Sequence, residues 1–328
     1  MSLRVLVTGG AGFLGRNVVG GLLDQGHEAV LMVRGGRRPG LPDEATIVDA
    51  DVRDAAAFTE AAAGCGAIIH SAAMVKLWSP RPQDFDDVNV GGLRNAIAAA
   101  RAHNARLVYT SSFMAIGPTS GPPADESQTH PGGYRNDYER TKALADEIAR
   151  DYAREGGDIV ILYPGVVYGP GELTDGNLIA KMLADRINNR LPGIVGPGDR
   201  LWSYAFVDDV ARAHVAALEK GRKGERYILA GVNATLTEVF ETASRHTGRD
   251  LNPRRLPYGL SRLVGRAMWI WAEVTGKTPD LTHQAVGIFE KDWAYRSDKA
   301  MSELGFHIRP LDEGLGATLD WLVGEGHA

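Results

Sequence analysis

The strongest constraint on the fold lies at the start of the chain. An apolar run of strand character, 3–8, leads without a linker into Thr8-Gly9-Gly10-Ala11-Gly12-Phe13-Leu14-Gly15, and a segment of helical spacing, 13–25, follows. Gly9, Gly12 and Gly15 keep a G-x-x-G-x-x-G spacing. The first glycine permits a tight turn, the middle one lets a pyrophosphate approach the backbone, and the last lets the helix pack closely on the strand. The helix start then offers free N–H groups and the positive end of its dipole to an anion. In this strand–turn–helix context, Gly9, Gly12, Phe13, Leu14 and Gly15 are expected to bind a dinucleotide.

Strand-like runs recur at 28–33, 45–50, 67–72, 106–111 and 158–163, with helical segments at 54–63, 87–103 and 137–155 among them. The runs are apolar throughout, as strands covered on both faces are. The expected fold class is α/β: a Rossmann-type, doubly wound parallel sheet with a smaller, mainly C-terminal substrate lobe. Residues 1–165 are assigned to the dinucleotide-binding domain, with 201–230 returning to it. Residues 166–200 and 231–328 are assigned to the lobe.

Composition removes several function classes. With 44% hydrophobic and 23% charged residues the chain is not a disordered one. Cys65 is the single cysteine, so an intrachain disulfide and a Cys-rich zinc centre are excluded, and no metal site is expected. A net charge of −5 lacks the basic footprint of a nucleic-acid binder. No run approaches the ~18 apolar residues of a membrane span, and 1–10 lacks the features of a signal peptide. A cytoplasmic location follows as the expectation.

After the second strand comes Arg34-Gly35-Gly36-Arg37-Arg38, where an acidic residue would favour NAD. Arginine suits a ribose 2′-phosphate, so NADP(H) is favoured, with NAD(H) the alternative. Asp51, after the third run, is placed to accept a bond from an adenine amino group, or else to cap a turn. The fifth strand ends at Thr110-Ser111-Ser112, and Tyr138 and Lys142 follow at helical i,i+4 spacing. A tyrosine beside an ammonium can exchange a proton with an alcohol or carbonyl oxygen that a serine hydroxyl holds.

The segments TGGAGFLG (8–15), DVRD (51–54), HSAA (70–73), VNVGGLRN (88–95), YTSS (109–112), YERTK (138–142), YPGVVYGPG (163–171) and FVDDVARAH (206–214) resemble the extended short-chain dehydrogenase/reductase family. Within it the chain is most similar to the dihydroflavonol-reductase-like branch and to plant farnesol dehydrogenase-like proteins. The resemblance implies Ser112, Tyr138 and Lys142 as the catalytic set. It implies Val52, Ala72, Ala73, Asn89, Tyr163, Pro164, Gly165 and Val166 as further cofactor-binding positions. His70 lies at the same strand end, with a satisfied interior histidine as the alternative. The family includes NAD and NADP users. Its members often pair through the helices here at 87–103 and 137–155, which implies a homodimer.

Nucleotide-sugar epimerases and dehydratases share this cofactor half, and one with tightly held NAD(P) is the main alternative. They carry a sugar-diphosphate asparagine where this chain has Val166, and an arginine where it has Trp202. Arg200 lies close by. Met74, Leu77, Trp78, Phe113, Met114 and Ile116 are further apolar candidates. Met74, Trp78, Phe113, Met114 and Trp202 therefore define the expected substrate pocket, suited to an apolar or aromatic alcohol/carbonyl pair. A non-catalytic dinucleotide-binding scaffold is the alternative from another class. In 256–275, Leu260, Leu263, Val264, Ala267, Met268 and Trp271 recur at helical spacing with Arg262 and Arg266 between them. This segment is either a lobe helix packed over the pocket or a lid that touches a membrane surface.

Overall fold

A computed structural model describes residues 2–36 and 38–327. Its strands, in chain order, are Arg4–Thr8 (β1), Glu28–Met32 (β2), Thr46–Val48 (β3), Ala67–His70 (β4), Arg106–Thr110 (β5), Ile159–Pro164 (β6), Val166–Tyr168 (β7), Ile194–Val195 (β8), Leu201–Phe206 (β9), Arg226–Leu229 (β10), Val232–Thr235 (β11) and Arg255–Leu256 (β12). Seven form one parallel sheet in the order β10-β6-β5-β4-β1-β2-β3. The order reverses between β1 and β4, where a doubly wound sheet opens its ligand crevice.

Both faces of the sheet are covered. Helices Ala55–Ala61, Gly92–His103 and Asp137–Arg154 bury Phe58, Leu93, Ala96, Ala145 and Ala149 against one face. Helices Phe13–Asp24, Val207–Glu219 and Asp298–Leu304 bury Val18, Val19, Leu22, Val210 and Leu304 against the other. This two-sided burial explains the unbroken apolar texture of β4 and β6.

The helix Asp137–Arg154 begins cleanly because the Asn136 side chain accepts the Glu139 N–H at 2.8 Å. Its neighbour does not follow the expected continuous helix 87–103. Residues Asp86–Gly91 form a π-helical turn before the α-helix starts at Gly92. Such a turn rotates side chains out of α register and is frequent at functional sites.

The lobe has a three-stranded sheet, β11-β9-β7, and a short pair, β12-β8. Here the assignment of 201–230 to the nucleotide domain needs correction. β10 and the helix Val207–Glu219 lie on the large sheet, but β9 pairs with β7 and β11. β9 and β7 are parallel, and β11 returns antiparallel, so their pairing draws the chain on either side of 207–230 into the lobe.

Candidate active site

The glycine turn has the form the spacing predicts. Gly12 N–H donates to Gly9 O at 2.9 Å, and Gly9 has φ +73°. A Cβ on Gly9 would lie 2.7 Å from Ala72 N, and one on Gly15 would run into the Gly9 carbonyl. The helix Phe13–Asp24 starts with no side-chain cap and no acidic residue in its first turn. Its first N–H groups therefore suit an anionic pyrophosphate. Phe13 is buried and Leu14 half-buried, so those two contribute chiefly backbone here.

At the end of β2 the Arg34 side chain is 70% exposed, with Nη1 3.7 Å from Asp51 Oδ2. Arg38 Nη2 donates to Arg34 O at 3.1 Å, and Asp49 accepts the Gly35 N–H at 2.7 Å. Arg37 lies outside the described residues. Asp51 has a partner the motif did not suggest. Arg53 binds it through Nη2 at 2.7 Å and Nε at 3.0 Å, and holds its carboxyl below the ordinary range. Val52 is buried, and its carbonyl accepts from Asn95 Nδ2 at 2.8 Å.

The ends of β1 and β4 are tied through side chains. Thr8 Oγ1 lies 2.8 Å from His70 Nδ1 and accepts the Ala72 N–H at 3.3 Å. Burial, with the Lys142 charge adding to it, pushes His70 down to about 3. His70 is thus a neutral interior histidine stacked on Tyr109. Ala72 and Ala73 are half-buried at the crevice. Asn89, in the π turn, accepts Met74 N–H at 2.8 Å and donates to Thr141 Oγ1 at 3.0 Å. Both ends of its amide are occupied, so it pins the loop after β4 to the Tyr138 helix.

Ser112, just beyond β5, and Tyr138 are brought together. Burial pushes the Tyr138 phenol above its ordinary value, and a hydrogen bond with Ser112 opposes that shift. Lys142 Nζ donates to Thr110 O at 2.8 Å and to Tyr109 Oη at 3.4 Å, 5.0 Å from the Tyr109 ring centroid. Burial lowers Lys142 to about 7, against the carboxylate of Asp146. The lysine is thus fixed on the same helix as the tyrosine and fastened to the strand end.

Several residues that position this set carried no motif. Asp146, one further helical turn on, accepts the Tyr163 hydroxyl at 2.5 Å and pairs with Arg150 at 2.9 Å. Its i,i+4 spacing from Lys142 was the available signal. Glu139 is fully buried and gathers His130 Nε2 at 2.9 Å, Arg135 N at 2.7 Å and Arg135 Nη1 at 2.6 Å. It ties the loop before the helix to the residue next to Tyr138. Thr110 Oγ1 lies 2.9 Å from His214 Nε2.

Tyr163 points into the core toward Asp146, and Pro164 ends β6. Gly165 N–H donates to Leu229 O at 3.0 Å, and Val166 opens β7 opposite Tyr204. On the substrate side, Phe113 meets Trp293 edge-to-face at 5.4 Å, and Met114 is buried beside it. Trp202 stacks on Phe289 at 5.1 Å and donates to Lys291 O at 3.1 Å. Trp202, Phe289, Ile179, Met182 and Leu236 line a narrow cavity of about 20 Å³ with Arg200 at its edge. Arg200 is shared between Asp199 at 3.6 Å and Asp292 at 3.7 Å. Met74 is half-buried, with its N–H held by Asn89. Trp78 is buried, and its indole N–H donates to Glu273 Oε1 at 2.8 Å.

Residues 5–230 match the NAD dependent epimerase/dehydratase family. The chain belongs to that family. Sequence and fold agree: the chain is 25% identical to the UDP-glucose 4-epimerase of Thermus thermophilus in complex with NAD, over 98% of this chain and 99% of that one, at a TM-score of 0.76. A Synechocystis sp. protein bearing a dihydroflavonol 4-reductase name is 31% identical over 98% of this chain and 95% of its own. The 2-alkyl-3-oxoalkanoate reductase of Stenotrophomonas maltophilia is 34% identical over 95% and 97% respectively. This family member is an NAD(P)-dependent oxidoreductase of the extended short-chain type.

Proposed function

We propose that this dehydrogenase interconverts a ketone and a secondary alcohol borne on an apolar, alkyl or aromatic framework, with NADP(H) preferred. One observation carries the substrate class. The lobe cavity is walled by Trp202, Phe289, Ile179, Met182 and Leu236; of the arginines beside it, Arg200 is already shared by two carboxylates and Arg255 stands against Gly198. A sugar diphosphate buried there would have to draw Arg200 away from its carboxylates, whereas an apolar chain is favoured by about 25 cal/mol per Å² removed from water. The name of the Stenotrophomonas relative, an oxoalkanoate reductase, supports the same class.

Bound nicotinamide supplies or accepts the hydride. The chain's own residues do the rest. The Ser112 hydroxyl holds the substrate oxygen, and the Tyr138 hydroxyl gives its proton to that oxygen in reduction or takes it back in oxidation. Lys142 anchors the Tyr138 helix on Thr110 and would hold the nicotinamide ribose. Arg34 and Arg38 supply cations for a 2′-phosphate. The small, exposed Ala98 and Ala102 would let the helix Gly92–His103 approach a second copy closely, which supports a homodimer; light scattering checks it.

The deciding test follows reduced-cofactor absorbance with NAD and NADP separately. The panel holds alkyl and aryl ketones, their alcohols, farnesol and UDP-glucose. Turnover of the apolar panel that vanishes in Tyr138→Phe supports the proposal. Turnover of UDP-glucose alone, without release of reduced cofactor, overturns it in favour of epimerisation.

A further inference from the structure

The helix Tyr258–Thr275 is mounted with its apolar side outward. Its buried residues are small: Ser261, Gly265 and Ala272. Gly265 lies so close to the next segment that a Cβ would come 2.7 Å from His283 N. Tyr258, Met268 and Trp269 are half-buried, Trp269 lying edge-on to His283, but six other large side chains point away from the protein. Leu263 is 69% and Val274 81% exposed, and Leu260, Val264, Ile270 and Trp271 are each between 43% and 52% exposed. At 100° per residue these six fall on one continuous stripe. An outward apolar stripe of this size marks a docking surface.

The charges around the stripe identify what docks. Residues 254–291 carry six Lys/Arg and three Asp/Glu, a net of +3 within a chain that totals −5. Two of the three acids already have partners: Glu273 accepts the Trp78 indole N–H at 2.8 Å, and Glu290 pairs with Arg262, one of the six cations, at 2.6 Å. Asp280 is the third. Arg266 has no ion-pair partner among the described residues, and Lys277 lies 6.0 Å from the Trp271 ring centroid at the end of the helix. Two copies meeting on this face would set one cationic row against the other. An anionic lipid surface accepts the apolar stripe and complements the cations together.

We propose that this helix docks the protein in-plane on an anionic membrane surface. No helix among the described residues is long and apolar enough to cross one, so the contact is peripheral. The helix is joined to the catalytic region on two sides. Trp78 ties it to the loop after β4, and the Tyr258 hydroxyl donates to the carbonyl of Phe289, a cavity-lining residue, at 3.1 Å. The start of the helix is therefore one hydrogen bond from the wall of the lobe cavity. The inference rests on this surface and holds whichever substrate the cavity takes.

The test is vesicle flotation of the full chain, using phosphatidylcholine vesicles with and without phosphatidylglycerol. The wild type is expected to float with the anionic vesicles and to be released by high salt. Leu263→Glu/Val274→Glu, at the two most exposed positions, should lower the floated fraction by ~10-fold or more while thermal unfolding and cofactor binding stay unchanged. Arg266→Ala should weaken binding to anionic vesicles specifically. A wild type that stays unbound, or a double variant that floats equally well, overturns the proposal. So does a wild-type dimer in light scattering that the double variant splits, which would assign the face to a second copy.

Discussion

Lys142 Nζ donates to the carbonyl oxygen of Thr110 at 2.8 Å, so the lysine that follows Tyr138 by one helical turn is fastened to the last residue of β5. Ser112 lies two residues beyond that anchor. The bond therefore sets the distance between the serine on the strand end and the tyrosine on the helix. Thr110 is held from the other side by His214, and Lys142 is backed by Asp146.

Removal of the Tyr138 hydroxyl should stop proton transfer without emptying the cofactor cradle. Tyr138→Phe is expected to lower kcat by ~10²–10⁴-fold. The dissociation constant of NADP, read by fluorescence titration, should change little. Retention of full turnover would remove Tyr138 from the chemistry.

Asp146 acts on the reaction through Lys142. Its carboxylate favours the charged ammonium, so Asp146→Asn should move Lys142 below its value of about 7. The limb of the kcat/KM profile that requires protonated Lys142 is then expected at lower pH, by about one unit. A fall in activity with an unmoved profile would mean that Asp146 only braces Tyr163.

Arg34 is exposed and loosely paired, which leaves it available to a 2′-phosphate. Arg34→Glu should raise KM for NADP by ~10-fold or more and leave KM for NAD within a factor of about two. Equal effects on both cofactors would place the 2′-phosphate elsewhere.

His70 and His214 give the fold an acid limit. Burial holds His70 down to about 3 and His214 to about 4. An unfolded chain takes up these protons below about 6.5 while the folded chain does not, so stability rises with pH across that window and is lost as pH falls through it. Each group contributes a slope of up to about 1.4 kcal/mol per pH unit. Urea midpoints should fall between about pH 6.5 and pH 4, and His214→Gln should flatten that fall, measured relative to its own midpoint at neutral pH. A midpoint independent of pH in that range would contradict the assignment.

The glycine turn, the parallel sheet and the Tyr138–Lys142 pair were legible because each rests on local chemistry: a backbone clearance, an apolar run, an i,i+4 spacing. The bonds that orient the site were not. The Asn89 amide reaches Met74, 15 residues back, and Thr141, 52 residues on. The Trp78 indole reaches Glu273, 195 residues away. No periodicity encodes such partners.

By itself, the sequence determined the strand–turn–helix cradle, the covered sheet and the proton-transfer pair, since these follow from steric freedom, hydrophobic period and helical spacing. Only the tertiary structure decided that β9 leaves the large sheet for the lobe, that Lys142 is anchored on Thr110, and that the helix Tyr258–Thr275 turns its large apolar residues outward. An amphipathic pattern says that one face differs from the other. Which face meets the protein depends on what packs there, and here the backbone of Thr282 and His283 approaches too closely for anything larger than Gly265.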